Sequence, residues 1–178
     1  MAAKESLPPK RDYELYIMRH GPAAVRGSGS TDEDSKRPLI PEGKQKVQKI
    51  AEGLLKLGFD VDWIVASPLV RAVETAEIVA DALPPGVPTD FSDALKPGAA
   101  PEALIAFLAR QPARRRVLVV GHEPDLSEMA ARLVGAGRNA NFSFKKGGCC
   151  RIRFSEFPPK GPGELVWWLT PRVMRKLA

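Results

Sequence analysis

Histidine, cysteine and tyrosine are the scarce residues of this chain, two of each among 178. The cysteines, Cys149 and Cys150, are neighbours. Adjacent residues on a strand point to opposite faces, which excludes a disulfide framework, and two soft ligands are too few for a structural zinc site. Such cysteine use suits a reducing cytoplasm, where the protein is expected to reside. No apolar run approaches the ~20 residues of a membrane-spanning helix, so no membrane span is expected. The N-terminus carries Lys4, Glu5, Lys10 and Arg11 and lacks the apolar stretch of a secretory signal. Residues 1–12 are expected to form a short flexible leader and 13–178 a single domain. Also missing are a glycine-rich P-loop, an acidic cluster spaced for Mg²⁺, an internal repeat and any low-complexity domain. Arg114, Arg115 and Arg116 are consecutive, but a run this short without interleaved aromatics does not predict nucleic-acid binding.

What remains is the composition of a globular domain, 44% apolar and 27% charged. A formal net charge of +6 favours anionic ligands without choosing among them. The run Tyr13-Glu14-Leu15-Tyr16-Ile17-Met18 is β-prone and ends abruptly in Arg19-His20-Gly21. A loop of about twenty residues follows, rich in Gly, Ser, Asp and Pro, which reads equally as a flap or substrate rim and as a solvated excursion. Val47, Ile50, Leu54 and Leu57 recur at helical spacing from Pro41 to Leu57. Residues 60–66 read as a second strand. It ends in Ser67-Pro68, expected as N-cap and first helical residue, with Arg71 in the first turn of a helix to about Leu83. Thr89 to Phe91 is a short edge-strand candidate and Pro101 to Arg110 a further helix. Arg116-Val117-Leu118-Val119-Val120 reads as a strand buried on both faces, ending in Gly121-His122-Glu123-Pro124. Asp125 or Ser127 is expected to cap the next helix. Gly148–Phe154 and Glu164–Thr170 form a strand pair around a Pro/Gly-rich turn, with Trp167 and Trp168 as core and surface partners. Arg172 to Ala178 reads as a basic tail. The alternation predicts an α/β fold, a three-layer α/β/α sandwich on a mostly parallel sheet with an antiparallel strand near the C-terminus.

Strand ends of such a sheet converge on one edge, where ligands bind. Both histidines fall at such ends, together with Arg19 and the Ser67…Arg71 segment. Two guanidinium groups match phosphate oxygens, and a neutral imidazole nitrogen can attack phosphorus in line to form a phosphohistidine that water then hydrolyses. No metal and no cofactor is called for when arginines supply the positive charge.

The three segments Arg19-His20-Gly21, Ser67-Pro68-Leu69-Val70-Arg71-Ala72-Val73-Glu74-Thr75-Ala76 and Gly121-His122-Glu123-Pro124, in that order, resemble the histidine phosphatase superfamily, also called phosphoglycerate mutase-like. The resemblance runs from about Tyr13 to Thr170. The compact size, Arg37-Pro38-Leu39 and Lys145-Lys146-Gly147-Gly148 resemble the SixA-type phosphohistidine phosphatases, although Pro22-Ala23 and Ile40-Pro41 depart from the commoner patterns. The resemblance implies His20 as nucleophile, Arg19 and Arg71 as phosphate ligands, and His122 holding the same group and stabilising the transition state. Glu74 would orient its neighbours. The general acid that larger relatives carry has no clear counterpart: Asp93, Glu123, Asp125 and the acidic triplet Asp32, Glu33 and Asp34 are the candidates. A phosphohistidine substrate needs less help, because an imidazole protonated at its other nitrogen is a competent leaving group. Three functions therefore stand open. The first is a phosphatase for phosphohistidine in a protein, acting as a monomer. The second is a phosphomonoesterase for a small phosphate ester using the same pocket. The third is a non-catalytic anion-binding module.

Overall fold

The computed structural model describes residues 13–25, 27, 31–137 and 140–178; the expected leader, residues 1–12, lies outside them. Six strands form one sheet: β1 (Tyr13–Arg19), β2 (Trp63–Ala66), β3 (Thr89–Phe91), β4 (Arg116–Gly121), β5 (Cys149–Phe154) and β6 (Glu164–Leu169), in the spatial order β3-β2-β4-β1-β5-β6. The first four run parallel, and β5 is antiparallel to both β1 and β6. The helices are α1 (Thr31–Ser35), α2 (Pro41–Lys56), α3 (Val70–Asp81), α4 (Pro101–Ala109), α5 (Asp125–Leu133) and α6 (Pro171–Leu177).

Alternating strand side chains divide the core into two layers. Tyr16, Met18, Ile64, Ala66, Leu118, Val120 and Cys149 face α2, α3 and α6. Leu15, Ile17, Val65, Val117, Val119 and Cys150 face α4 and α5. This is the expected three-layer arrangement. Cys149 and Cys150 are free, buried and on opposite faces, with burial pushing both thiols up from their ordinary range. Trp167 and Trp168 likewise split between the two layers, each half-buried against its own core, so neither is the surface partner expected.

Two segments carry more structure than their sequences announce. The loop after β1 contains α1 and an antiparallel bridge, Ala23 to Leu39. The basic C-terminal stretch is α6, docked on α2 through buried Met174. Gly53 makes that docking possible: a Cβ there would lie 1.9 Å from the Met174 carbonyl oxygen. Gly53→Ala gains up to ~1 kcal/mol of helix propensity. Forcing a methyl into filled space costs about 1–3 kcal/mol. The steric cost wins, so the substitution is expected to lower the melting temperature by a few degrees; an unchanged or raised Tm would show that α6 gives way freely.

Candidate active site

β2, β4 and β1 are adjacent and parallel, so their C-terminal ends stand side by side. Backbone bonds continue the ladder one residue beyond the strands. The His20 N–H donates to the Gly121 carbonyl (3.1 Å) and the Ser67 N–H to the Val120 carbonyl (2.9 Å). His20, Ser67 and His122 are thereby brought to one edge, and the two imidazole centroids lie 5.1 Å apart. Arg71 reaches the same edge from the first turn of α3. A cleft of about 600 Å³ opens there, lined by Arg19, His20, Asp34, Arg71, His122 and Glu123 among others. All four residues singled out from the motifs thus line one cavity. His20 is 6% exposed, and Arg71 and His122 are 3% exposed.

The hydrogen bonds set the state of each imidazole. His20 Nδ1 lies 2.7 Å from the Gly21 carbonyl oxygen. A carbonyl only accepts, so Nδ1 carries the proton and Nε2 the lone pair. Nε2 has no partner among the described residues. Burial holds His20 down at about 3, with Arg71 and Arg19 adding to the effect and the Gly21 contact opposing it, so the ring is neutral at pH 7. His122 pairs through Nε2 with Ser67 Oγ (2.8 Å) and leaves a buried Nδ1 without a partner among the described residues. Burial again comes first in holding it at about 3, followed by His20 and Arg71.

These depressed values carry a stability consequence. The unfolded histidines titrate near ~6.5, above the folded values of about 3. Below pH 6.5 the unfolded chain therefore binds protons that the fold refuses, and unfolding free energy falls as pH falls toward 3. The chain has only two histidines, so between pH 6.5 and 5, above the carboxylate range, the slope belongs to them. It is expected to approach ~1.4 kcal/mol per pH unit for each ring. Denaturant titrations at pH 7, 6 and 5 measure it; equal stabilities would mean that the rings are not held neutral.

Ser67 does not cap α3 as expected. That helix starts at Val70 with Leu69 before it and no side-chain cap; the Ser67 hydroxyl accepts from the Leu69 N–H (3.4 Å) and makes its shorter contact with His122. Neither Asp125 nor Ser127 caps α5: Asp125 accepts from the Gly98 N–H (2.8 Å), and Ser127 donates to Glu123. Glu74 does orient its neighbours, accepting from the Leu39 N–H (2.6 Å) and from Lys44 Nζ (2.6 Å), which ties the post-β1 loop to α3. Thr75 adds a second tie by accepting from the Gly21 N–H (3.0 Å) and donating to the Arg71 carbonyl (2.7 Å). Thr75 escaped the sequence reading because nothing local distinguishes it from any helical threonine.

The candidate acids separate. Asp93 is paired with Lys96 (2.9 Å) and mostly exposed, and neither it nor Asp125 lines the cleft. Glu123 lines the cleft but accepts from Ser127 Oγ and from the Phe144 N–H (3.1 Å). In α1, Asp32 pairs with Lys36 (2.5 Å), and Asp34 accepts from Arg37 Nε (2.8 Å) and Arg71 (3.2 Å). Asp34 is therefore the carboxylate delivered to Arg71, and the cation in the first turn of α3 is compensated by it. Arg37 also donates to the Ala24 carbonyl (2.5 Å), closing the loop on itself. Among the described residues no three His, Cys, Asp or Glu side chains cluster as a metal site. No helix among them is long and apolar enough to cross a membrane.

Two imidazoles and two arginines gathered at adjacent strand ends of a parallel sheet form a site suited to a phosphate-like oxyanion. The sequence profile of the histidine phosphatase superfamily (branch 1) matches residues 15–96. An uncharacterised protein of Picosynechococcus sp. is 37% identical over 142 residues, covering 79% of this chain and 84% of the relative. The structure of the protein histidine phosphatase SixA complexed with tungstate superposes with a TM-score of 0.71 at 25% identity, covering 89% of this chain and 97% of that one. A protein of Nakamurella multipartitia assigned to SixA shares the fold at a TM-score of 0.74 and 24% identity, with 92% and 99% coverage. The chain belongs to the histidine phosphatase superfamily, and its fold and relatives place it among the phosphatases.

Proposed function

We propose that the protein is a metal-independent phosphatase acting through a phosphorylated His20, and that its substrate is phosphohistidine in a protein. The observation that carries this reading is the His20–Gly21 contact, which leaves the Nε2 lone pair of a neutral ring in a cleft with Arg19, Arg71 and His122. In the first step His20 Nε2 attacks phosphorus in line. The P–N bond to the substrate imidazole breaks as the new P–N bond forms, and the leaving imidazole departs neutral because its other nitrogen already holds a proton. In the second step water attacks the phosphorylated His20, releasing inorganic phosphate and returning the ring to its neutral state. Arg19 and Arg71 offset the charge on the phosphoryl oxygens, and the His122 ring, steadied by Ser67, donates to one of them.

Substrate choice rests on the acids. Every candidate carboxylate in or near the cleft is engaged as a hydrogen-bond acceptor or ion-pair partner. A phosphoramidate needs no proton donor of that kind, whereas an alkyl phosphate does. The cleft is also flanked by a groove of about 800 Å³ between α5 and Gly135, Ala136, Gly137, Ala140 and Phe142, sharing Glu123, which gives a protein surface somewhere to lie. A small-molecule phosphomonoesterase is the second reading. It is favoured by the presence of Asp34 on Arg71, where a protonated carboxyl would sit near a leaving alkoxide. Turnover of a histidine-phosphorylated protein against a panel of sugar and glycerate phosphates separates the two. The proposal expects kcat/KM for the phosphoprotein to exceed the best ester by 100-fold or more, and Asp34→Asn to leave that rate within a few fold. Preference for an ester, lost in Asp34→Asn, would overturn it. Two buried free thiols suit a cytoplasmic location.

A further inference from the structure

The turn ahead of β5, Lys145-Lys146-Gly147-Gly148, stands against the backbone that carries His20. Gly147, at a φ of 81°, donates its N–H to the carbonyls of both Arg19 (3.1 Å) and His20 (3.0 Å). The Arg19 N–H donates to the Gly148 carbonyl (3.0 Å), and Arg19 Nη1 donates to the Phe144 carbonyl (2.7 Å). The chain on either side of the two lysines is therefore clamped to the nucleophile's strand end. Both lysines are exposed. Lys146 is near enough to act on the charge state of His20.

Among the described residues their charge meets no ion-pair partner, unlike that of other cations nearby. Around the cleft, Lys36 pairs with Asp32 (2.5 Å), Lys44 with Glu74 (2.6 Å), Lys96 with Asp93 (2.9 Å) and Arg37 with Asp34 (2.8 Å). Lys145 and Lys146 make no ion pair among the described residues. Nor do they line the 600 Å³ cleft itself; they sit in the turn bonded to the strand end that carries Arg19 and His20. A substrate group that meets them belongs to a part of the substrate extending beyond the phosphate pocket, which a polypeptide has and a small ester lacks.

We infer that Lys145 and Lys146 are specificity residues that hold an acidic stretch flanking the phosphohistidine of a protein substrate. The inference rests on the phosphohistidine reading above. Exposed lysines act over about a Debye length, ~8 Å at physiological salt, and steer encounter more than they tighten the complex. The effect should therefore appear in kcat/KM and fade with salt.

The test uses the full chain and three probes: a histidine-phosphorylated peptide flanked by aspartates, the same peptide with neutral flanks, and phosphoramidate. The wild type is expected to favour the acidic peptide about tenfold at low salt, approaching parity at high salt. Lys145→Gln/Lys146→Gln should erase that preference and leave phosphoramidate hydrolysis within about twofold. Lys145→Glu/Lys146→Glu should invert it. Phosphohistidine turnover without flank preference in the wild type would overturn the inference alone, as would equal losses on all three probes in the glutamine variant. Hydrolysis of phosphate esters with none of any phosphohistidine probe would overturn the substrate reading and the inference with it.

Discussion

His20→Ala is expected to lower kcat/KM by about 10⁴-fold or more, the scale on which removing a nucleophile acts. Without Nε2, no covalent intermediate can form and water must attack the substrate directly. The substitution should leave phosphate binding within a few fold, because Arg19 and Arg71 remain in the cleft. Loss of turnover with retained binding separates a missing nucleophile from a collapsed site. His20 is buried, so Ala opens a small cavity. His20→Asn is the companion variant, keeping most of the volume and a donor toward the Gly21 carbonyl. Both are expected to be inactive and folded, as judged by Tm and by phosphate affinity. More than one part in a hundred of wild-type activity in either variant would mean that another group attacks.

The second large effect is expected at His122. His122→Ala should reduce kcat by about 10²–10³-fold, the range seen when one donor to a developing oxyanion is removed. KM should change far less, since the arginines hold the ground state. The ring's Nε2 lies 2.8 Å from Ser67 Oγ, and its buried Nδ1 has no partner among the described residues. Ser67→Ala touches no substrate but frees the ring to rotate. It is a positioning residue, and a fall of about tenfold in kcat is expected with KM again nearly constant. Ser67→Thr, which restores the hydroxyl, should recover part of the loss. A His122→Ala variant changed only in KM would assign the ring to ground-state binding.

The parts of the fold legible in the sequence are those with local causes. The apolar runs Leu15–Met18, ahead of Arg19-His20, and Val117–Val120, ahead of Gly121-His122, mark the two central strands, because these stretches are buried on both faces of the sheet. What the run cannot convey is that β4 lies between β1 and β2. That adjacency places His122 5.1 Å from His20 by ring centroids and comes from long-range packing. Ser67-Pro68 has the local form of a helix start, yet a partner 55 residues away takes the hydroxyl. α1 was hidden for the opposite reason. Its residues Thr31-Asp32-Glu33-Asp34-Ser35 have no apolar stripe, and the segment is held by ion pairs to Arg37 and Arg71 rather than by burial. α6 hides one buried residue, Met174, among basic neighbours, and Gly53 is an unfavourable helix residue until the α6 backbone lies against it. Arg19, His20, Arg71 and His122 could be named from their motifs; Thr75 and the pairing of Asp34 with Arg71 became visible only once the elements were assembled.

The central claim is that phosphate passes through Nε2 of His20. Mixing the protein with excess ³²P-labelled phosphoramidate, quenching in alkali within milliseconds and mapping the labelled peptide tests it most directly. The expected result is an alkali-stable, acid-labile label on Nε2 of His20, present in the wild type, accumulating in His122→Ala only if dephosphorylation is slowed more than phosphorylation, and absent from His20→Asn. Label on any other residue, or single-turnover release of phosphate from the His20→Asn protein at the wild-type rate, would contradict it.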